Sequence, residues 1–156
     1  MITEGDIAPS FTADATTMDG TTTVDLSTFR GRTLVLYFYP KDETPGCTKE
    51  ACSIRDFHDQ IIQLNSVIVG VSPDDARSHV KFANNHLLPF MLLSDPDHAI
   101  AMLYDAWGEK KNYGKTYMGV ERRTVVIDSN GVIKKIFPRV KVEGHVDKIL
   151  DYIEGM

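Results

Sequence analysis

Along the 156-residue chain, short runs rich in β-branched and aromatic residues at 33–39, 66–71, 90–93, 123–128 and 132–137 alternate with segments of helical period. Such runs suit a pleated, half-buried surface. Between them, apolar residues recur every third or fourth position: Ala51, Ile54, Phe57, Ile61 and Leu64; Ala76, Val80, Ala83 and Leu87; Ile100, Leu103, Tyr104 and Trp107; Val146, Ile149, Leu150 and Ile153. Each stripe can lay one face on a sheet. The order β-α-β-α-β-α-β-β-α predicts an α/β architecture, a mixed sheet flanked by helices. The "SNG" at 129–131 predicts a hairpin between the last two strands, and "MDGTTTV" at 18–24 a short N-terminal one. In "VSPDD", Ser72 and Pro73 form a helix entry, as N-cap and first helical residue. No repeat or linker-like stretch interrupts the pattern, so residues 1–156 are expected to form a single domain.

Charge and hydropathy then narrow the function. A formal charge of -5, with lysines and arginines scattered among carboxylates, offers no basic patch for nucleic acid. The longest apolar run, at 34–39, is far short of a membrane span. The N-terminal "MITEGDIAPSF" lacks the pattern of a secretion signal, so a cytoplasmic protein is expected. With 42% apolar residues a chain this long needs no staple, and size does not explain its two cysteines.

Both lie in "YFYPKDETPGCTKEAC", residues 37–52. Strand 33–39 ends at Pro40, and a helix is expected to begin with Thr44 as N-cap and Pro45 at its first position. Cys47 then falls in the first turn, where unpaired N–H groups and the helix dipole favour a thiolate. Its spacing from Ala51 puts it on the inward stripe. Cys52 lies five residues on, which on an ideal helix separates the Cα atoms by roughly 8–9 Å. A disulfide needs less than about 7 Å, so pairing requires the first turns to unwind. On residue type alone, metal ligand, catalytic group and inert core thiol all stay open. Zinc is disfavoured because His58, His79, His86, His98 and His145 show no paired spacing, and the absence of a CxxC counts against a general disulfide exchanger.

The pattern Pro40, Thr44, Cys47 in "FYPKDETPGCTKEAC" resembles the active-site segment of the peroxiredoxin family, in particular its bacterioferritin comigratory protein (peroxiredoxin Q) branch. The similarity extends to 70–95, 113–128 and 140–150, in order along nearly the whole chain. It implies a thioredoxin-like fold and a thiol peroxidase acting on hydrogen peroxide and organic hydroperoxides. It further implies no metal or other cofactor, thioredoxin or a similar dithiol as reductant, and a monomer or weak dimer. By the same resemblance Cys47 is the peroxidatic cysteine, Cys52 the resolving one, and an arginine before the "TVVID" strand completes the site. Arg122 and Arg123 both stand there, on opposite faces if extended. The family pattern Arg-x-Thr selects Arg122.

In these roles, Arg122 stabilises charge on sulfur and on the departing oxygen, the Thr44 hydroxyl orients the peroxide, and Pro40 shields the sulfur. Glu50 either pairs with an arginine or favours the helix start, and is left outside the catalytic set. The chain departs from the family's Tyr-Gly-x-Trp at Tyr104, Asp105, Ala106 and Trp107, which puts a helix end and a nearby surface in question. A thiol-switch signalling module with little turnover is the alternative function. An inert thioredoxin-like domain is a second alternative.

Overall fold

The computed structural model describes residues 1–156. Strand β1 (Thr12–Thr17) and strand β2 (Gly20–Asp25) form the N-terminal hairpin, followed by a 3-10 turn over Leu26–Phe29. Then come β3 (Thr33–Phe38), α1 (Pro45–Asp56), α2 (His58–Gln63), β4 (Ser66–Ser72), α3 (Ala76–His86), β5 (Met91–Ser94) and α4 (Ala99–Leu103). The chain finishes with β6 (Trp107–Asn112), β7 (Lys115–Val120), β8 (Arg123–Ile127), β9 (Ile133–Phe137) and α5 (His145–Glu154). Seven strands make one sheet in the order β2-β1-β5-β4-β3-β8-β9, while β6 and β7 pair separately. Strands β3, β4 and β5 run parallel; β1, β8 and β9 join antiparallel. No helix is long and apolar enough to cross a membrane.

Strand β3 lies inside this sheet and is apolar on both faces. Its alternate side chains divide the core in two. Leu34, Leu36 and Phe38 pack with Val71, Leu93, Tyr104 and Val125 on one side. Val35 and Tyr37, with Tyr39 just beyond the strand, pack on the other against Ala51 and Ile54 of α1, Phe82 of α3 and Ile149 of α5. Burying each such side chain stabilises the fold by roughly 2 kcal/mol. Cys47 belongs to this second cluster, so the strand and the cysteine helix share one core. Gly70 on β4 gives Tyr37 its room: a Cβ there would sit 2.9 Å from the phenol oxygen.

Three local expectations are corrected. The helix after β4 begins at Ala76, not Pro73, because the Asp75 carboxylate accepts from Ser78 N at 2.9 Å and caps it, while Ser72 ends the strand. The stripe from Ala51 to Leu64 is interrupted at Phe57, whose N–H tightens onto Ile54 O, so two helices result. The stripe at Ile100 stops at Leu103, and Trp107 instead opens the β6–β7 hairpin, stacked on His98 at 3.8 Å. At the departure from Tyr-Gly-x-Trp, Asp105 takes the left-handed φ of 60° that glycine would adopt freely. Its carboxylate accepts the Ile2 N–H at 2.8 Å, a long-range bond that ties the N-terminal residues to this turn.

Candidate active site

Helix α1 starts where the sequence predicts. Thr44 holds the N-cap position with extended backbone and Pro45 follows it, placing Cys47 in the first turn. Thr44 makes no side-chain cap, however; its hydroxyl donates to Lys41 O at 2.8 Å. With its hydrogen committed there, the oxygen keeps lone pairs free to accept. Pro40 is half-buried at the exit of β3. Cys47 is 2% exposed, Cys52 is half-buried, and both are free thiols. Both lie within one continuous helix, so the separation that forbids pairing in this state is retained.

Of the two candidate arginines, Arg122 reaches the sulfur. Its Nη2 donates to Cys47 Sγ at 3.1 Å and its Nη1 to Glu50 Oε1 at 3.0 Å. Arg123 turns the other way, onto Glu121 at 3.3 Å. Arg122 is anchored by its backbone, since Val140 N donates to Arg122 O at 2.8 Å. A planar fork offers two separate nitrogens in fixed geometry, one for each acceptor, which the single ammonium nitrogen of a lysine cannot reproduce.

Two residues of the site escaped sequence reasoning as parts of it. Glu50 is 2% exposed and is the second acceptor of the fork. Gly46 is the other: a Cβ there would lie 2.8 Å from Arg122 Nη2, so any other residue would displace the guanidinium from its present place beside the sulfur. Glu50 was legible as a carboxylate one turn past Cys47, hence on the same helix face. Gly46 carried no signal beyond its place in the motif.

Burial pushes the Glu50 carboxyl up to about 7, against the opposing pull of Arg122. Burial pushes His145, whose Nε2 lies 2.8 Å from Thr124 Oγ1, down to about 4. Between pH 4.5 and 7 the folded state therefore binds the Glu50 proton that the unfolded chain has lost, and stability falls as pH rises through that window. For His145 the unfolded chain binds the extra proton between 4 and 6.5, and stability falls as pH drops. Each effect is worth up to about 3 kcal/mol, and they oppose one another. Glu50→Gln removes one side of the balance. Its stability, from urea unfolding of reduced protein, is expected to fall about 3 kcal/mol further than wild type between pH 7 and 4.5. Parallel curves for the two proteins would show that Glu50 does not hold its proton in this range.

Residues 5–136 match the AhpC/TSA family. The chain is 51% identical to peroxiredoxin Bcp of Bacillus subtilis over 134 residues, covering 86% of this chain and 85% of that protein. It is 40% identical to peroxiredoxin Bcp of Escherichia coli K12 over 150 residues, 96% of this chain and 94% of that one. Among solved structures, a cysteine-to-serine variant of PrxQ from Xylella fastidiosa superposes with a TM-score of 0.91 at 31% identity, covering 99% of this chain and 97% of that one. The bacterioferritin comigratory protein of Xanthomonas campestris, studied for alkyl peroxide reduction, gives 0.84 at 34% identity, with 91% and 90% covered. The mixed sheet flanked by helices is thus the thioredoxin-like arrangement, and this chain belongs to the AhpC/TSA family, within the Bcp/PrxQ peroxiredoxins, which are thiol-dependent peroxidases.

Proposed function

We propose that the chain reduces hydrogen peroxide and organic hydroperoxides with Cys47 as nucleophile and Cys52 as resolving thiol. The observation that carries this reading is the Arg122 fork joining the buried Cys47 Sγ and Glu50 at a helix N-terminus. A guanidinium 3.1 Å from sulfur favours negative charge there and remains in place for the oxygen that departs. The Thr44 oxygen accepts the peroxide O–H and aligns the O–O bond with the sulfur. Pro40, lacking an N–H, offers water no donor beside the site.

In the first step the thiolate attacks one peroxide oxygen, the O–O bond breaks, and hydroxide or alkoxide leaves to take up a proton. Cys47 becomes a sulfenic acid. The first turns of α1 then unwind, Cys52 attacks the sulfenic sulfur, and water is released as the disulfide forms. A dithiol protein of the thioredoxin type reduces that bond by exchange and is itself oxidised. The cycle calls for a reducing compartment such as the cytoplasm and runs within the single domain we assign to residues 1–156, as a monomer or weak dimer.

The test is the intact mass and thiol count of reduced protein before and after one equivalent of hydrogen peroxide. Loss of two hydrogens and both thiols is expected; two intact thiols would sink the reading. In Cys52→Ser the same dose should give a sulfenic acid trapped by dimedone and no internal disulfide. Multiple turnover supported by catalytic dithiol protein should then cease. Undiminished turnover in that variant would remove Cys52 from its role while leaving Cys47 in place.

A further inference from the structure

The loop between β3 and α1 carries Pro40 and Thr44, yet most of its bonds run to α3. Asp42 is buried, and its carboxylate accepts from Tyr39 Oη at 2.6 Å and from Ser78 Oγ at 2.8 Å, with His79 Nδ1 at 2.7 Å. The Asp42 N–H donates to Asp74 Oδ2 at 2.8 Å. Next to it, Glu43 accepts from Asn85 Nδ2 and faces His86 Nε2, each at 2.6 Å. His79 and Asp42 have side chains 0% and 1% exposed. The other ring nitrogen of His79, Nε2, lies 3.1 Å from Leu93 O, a carbonyl that can only accept, so this nitrogen carries a hydrogen. Nδ1 faces the Asp42 carboxylate, so ring and carboxyl are joined by a hydrogen bond. Sequestered from water, this bond cannot be exchanged for a solvent one without opening the core.

Beyond this knot the start of α1 is held by its apolar face and the Arg122 fork, with few other polar anchors. Glu43 is a non-glycine residue held at φ 63°, a conformation that persists only when its surroundings impose it. Thr44 supplies no side-chain cap to α1. The Lys49–Glu143 pair on α1 is exposed on both sides, at 59% and 74%, and such pairs contribute little.

We propose that Asp42 is a positioning residue: clamped to His79 and Ser78 of α3, it holds Pro40 and Thr44 in register and stops the unwinding of α1 at Thr44. This rests on the two-cysteine cycle above and adds to it a boundary. Residues 45 onward melt so that Cys52 can reach Cys47, whereas the peroxide-orienting residues on the other side of the hinge stay fixed. The site is then rebuilt after each reduction from a template that never dissolved.

The experiment is native-state hydrogen exchange, by NMR, on the reduced wild-type protein, read at the Asp42 amide, the His79 ring N–H and the α1 amides from Lys49 to Cys52. The expected pattern is that α1 exchanges through a low-energy opening while Asp42 and His79 exchange only with the sheet, at least tenfold more slowly. Exchange of Asp42 and α1 through one common opening would overturn the proposal. This result does not depend on oxidation, so a failure of the peroxidase reading is seen separately, as two thiols untouched by peroxide. A kinetic arm uses Asp42→Asn in a Cys52→Ser background, where only the attack on peroxide is read. Misplacing Thr44 by an ångström should slow Cys47 oxidation roughly ten- to hundredfold. An unchanged rate in a folded variant would also overturn it. Should that variant not fold, Ser78→Ala, which removes one donor only, is expected to slow the same step in the same direction.

Discussion

Replacing Cys47 by serine is expected to abolish peroxide turnover, lowering the second-order rate by at least about a thousandfold. The substitution is nearly isosteric at a side chain 2% exposed, so folding should survive it. What is lost is the nucleophile: a serine hydroxyl stays protonated at neutral pH, and a single arginine 3.1 Å away is no base to remove its proton. Stopped-flow measurement of peroxide loss checks the rate. Counting thiols after one equivalent of hydrogen peroxide checks that the half-buried Cys52 does not substitute for it. Turnover within tenfold of wild type would place the reactive sulfur elsewhere.

Arg122→Lys is expected to cost roughly a hundred- to thousandfold in kcat/KM, the usual scale for losing a donor aimed at developing charge. The formal charge is retained, so the loss measures geometry. A lysine can face Cys47 or Glu50 but cannot bridge both with the planar fork now set at 3.1 and 3.0 Å. The control is Arg123→Lys, whose guanidinium pairs with Glu121 instead of the sulfur, and whose kcat/KM should stay within a few-fold of wild type. Activity of Arg122→Lys within a few-fold of wild type would mean that positive charge alone, not the fork, supports the reaction.

The central strands were legible because a strand buried on both faces must be apolar along its length, as "LVLYFY" is. The β8–β9 hairpin was legible through its turn residues. The β6–β7 hairpin was not, because strands such as Glu109–Asn112 bury little on either face and show no alternation, while Trp107 completes a helical spacing from Ile100. The start of α3 was misjudged because two N-cap candidates, Ser72 and Asp75, stand three apart, and only the tertiary path of β4 decides between them. At the site, Cys47, Thr44 and Pro40 were marked by the motif, and Arg122 only by the family pattern, since strand alternation treats Arg122 and Arg123 alike. Gly46 and Asp42 act through space across neighbouring elements, one by what it lacks and one by what it gathers. Linear spacing encodes neither.

The order of the strands has one more consequence. The sheet ends at β2, which presents Thr21, Thr22 and Thr23, and at β9, which presents Lys134 and Lys135. Lysines and small hydroxyl side chains at an open edge discourage another chain from adding to it. In the cycle proposed above, part of α1 melts at each turnover, and such partly open states are prone to clumping. Here the segment that gives way is helical, and the ribbon it leaves behind is closed at the margins to recruitment, so repeated oxidation need not seed aggregation in a crowded, oxidant-stressed cell.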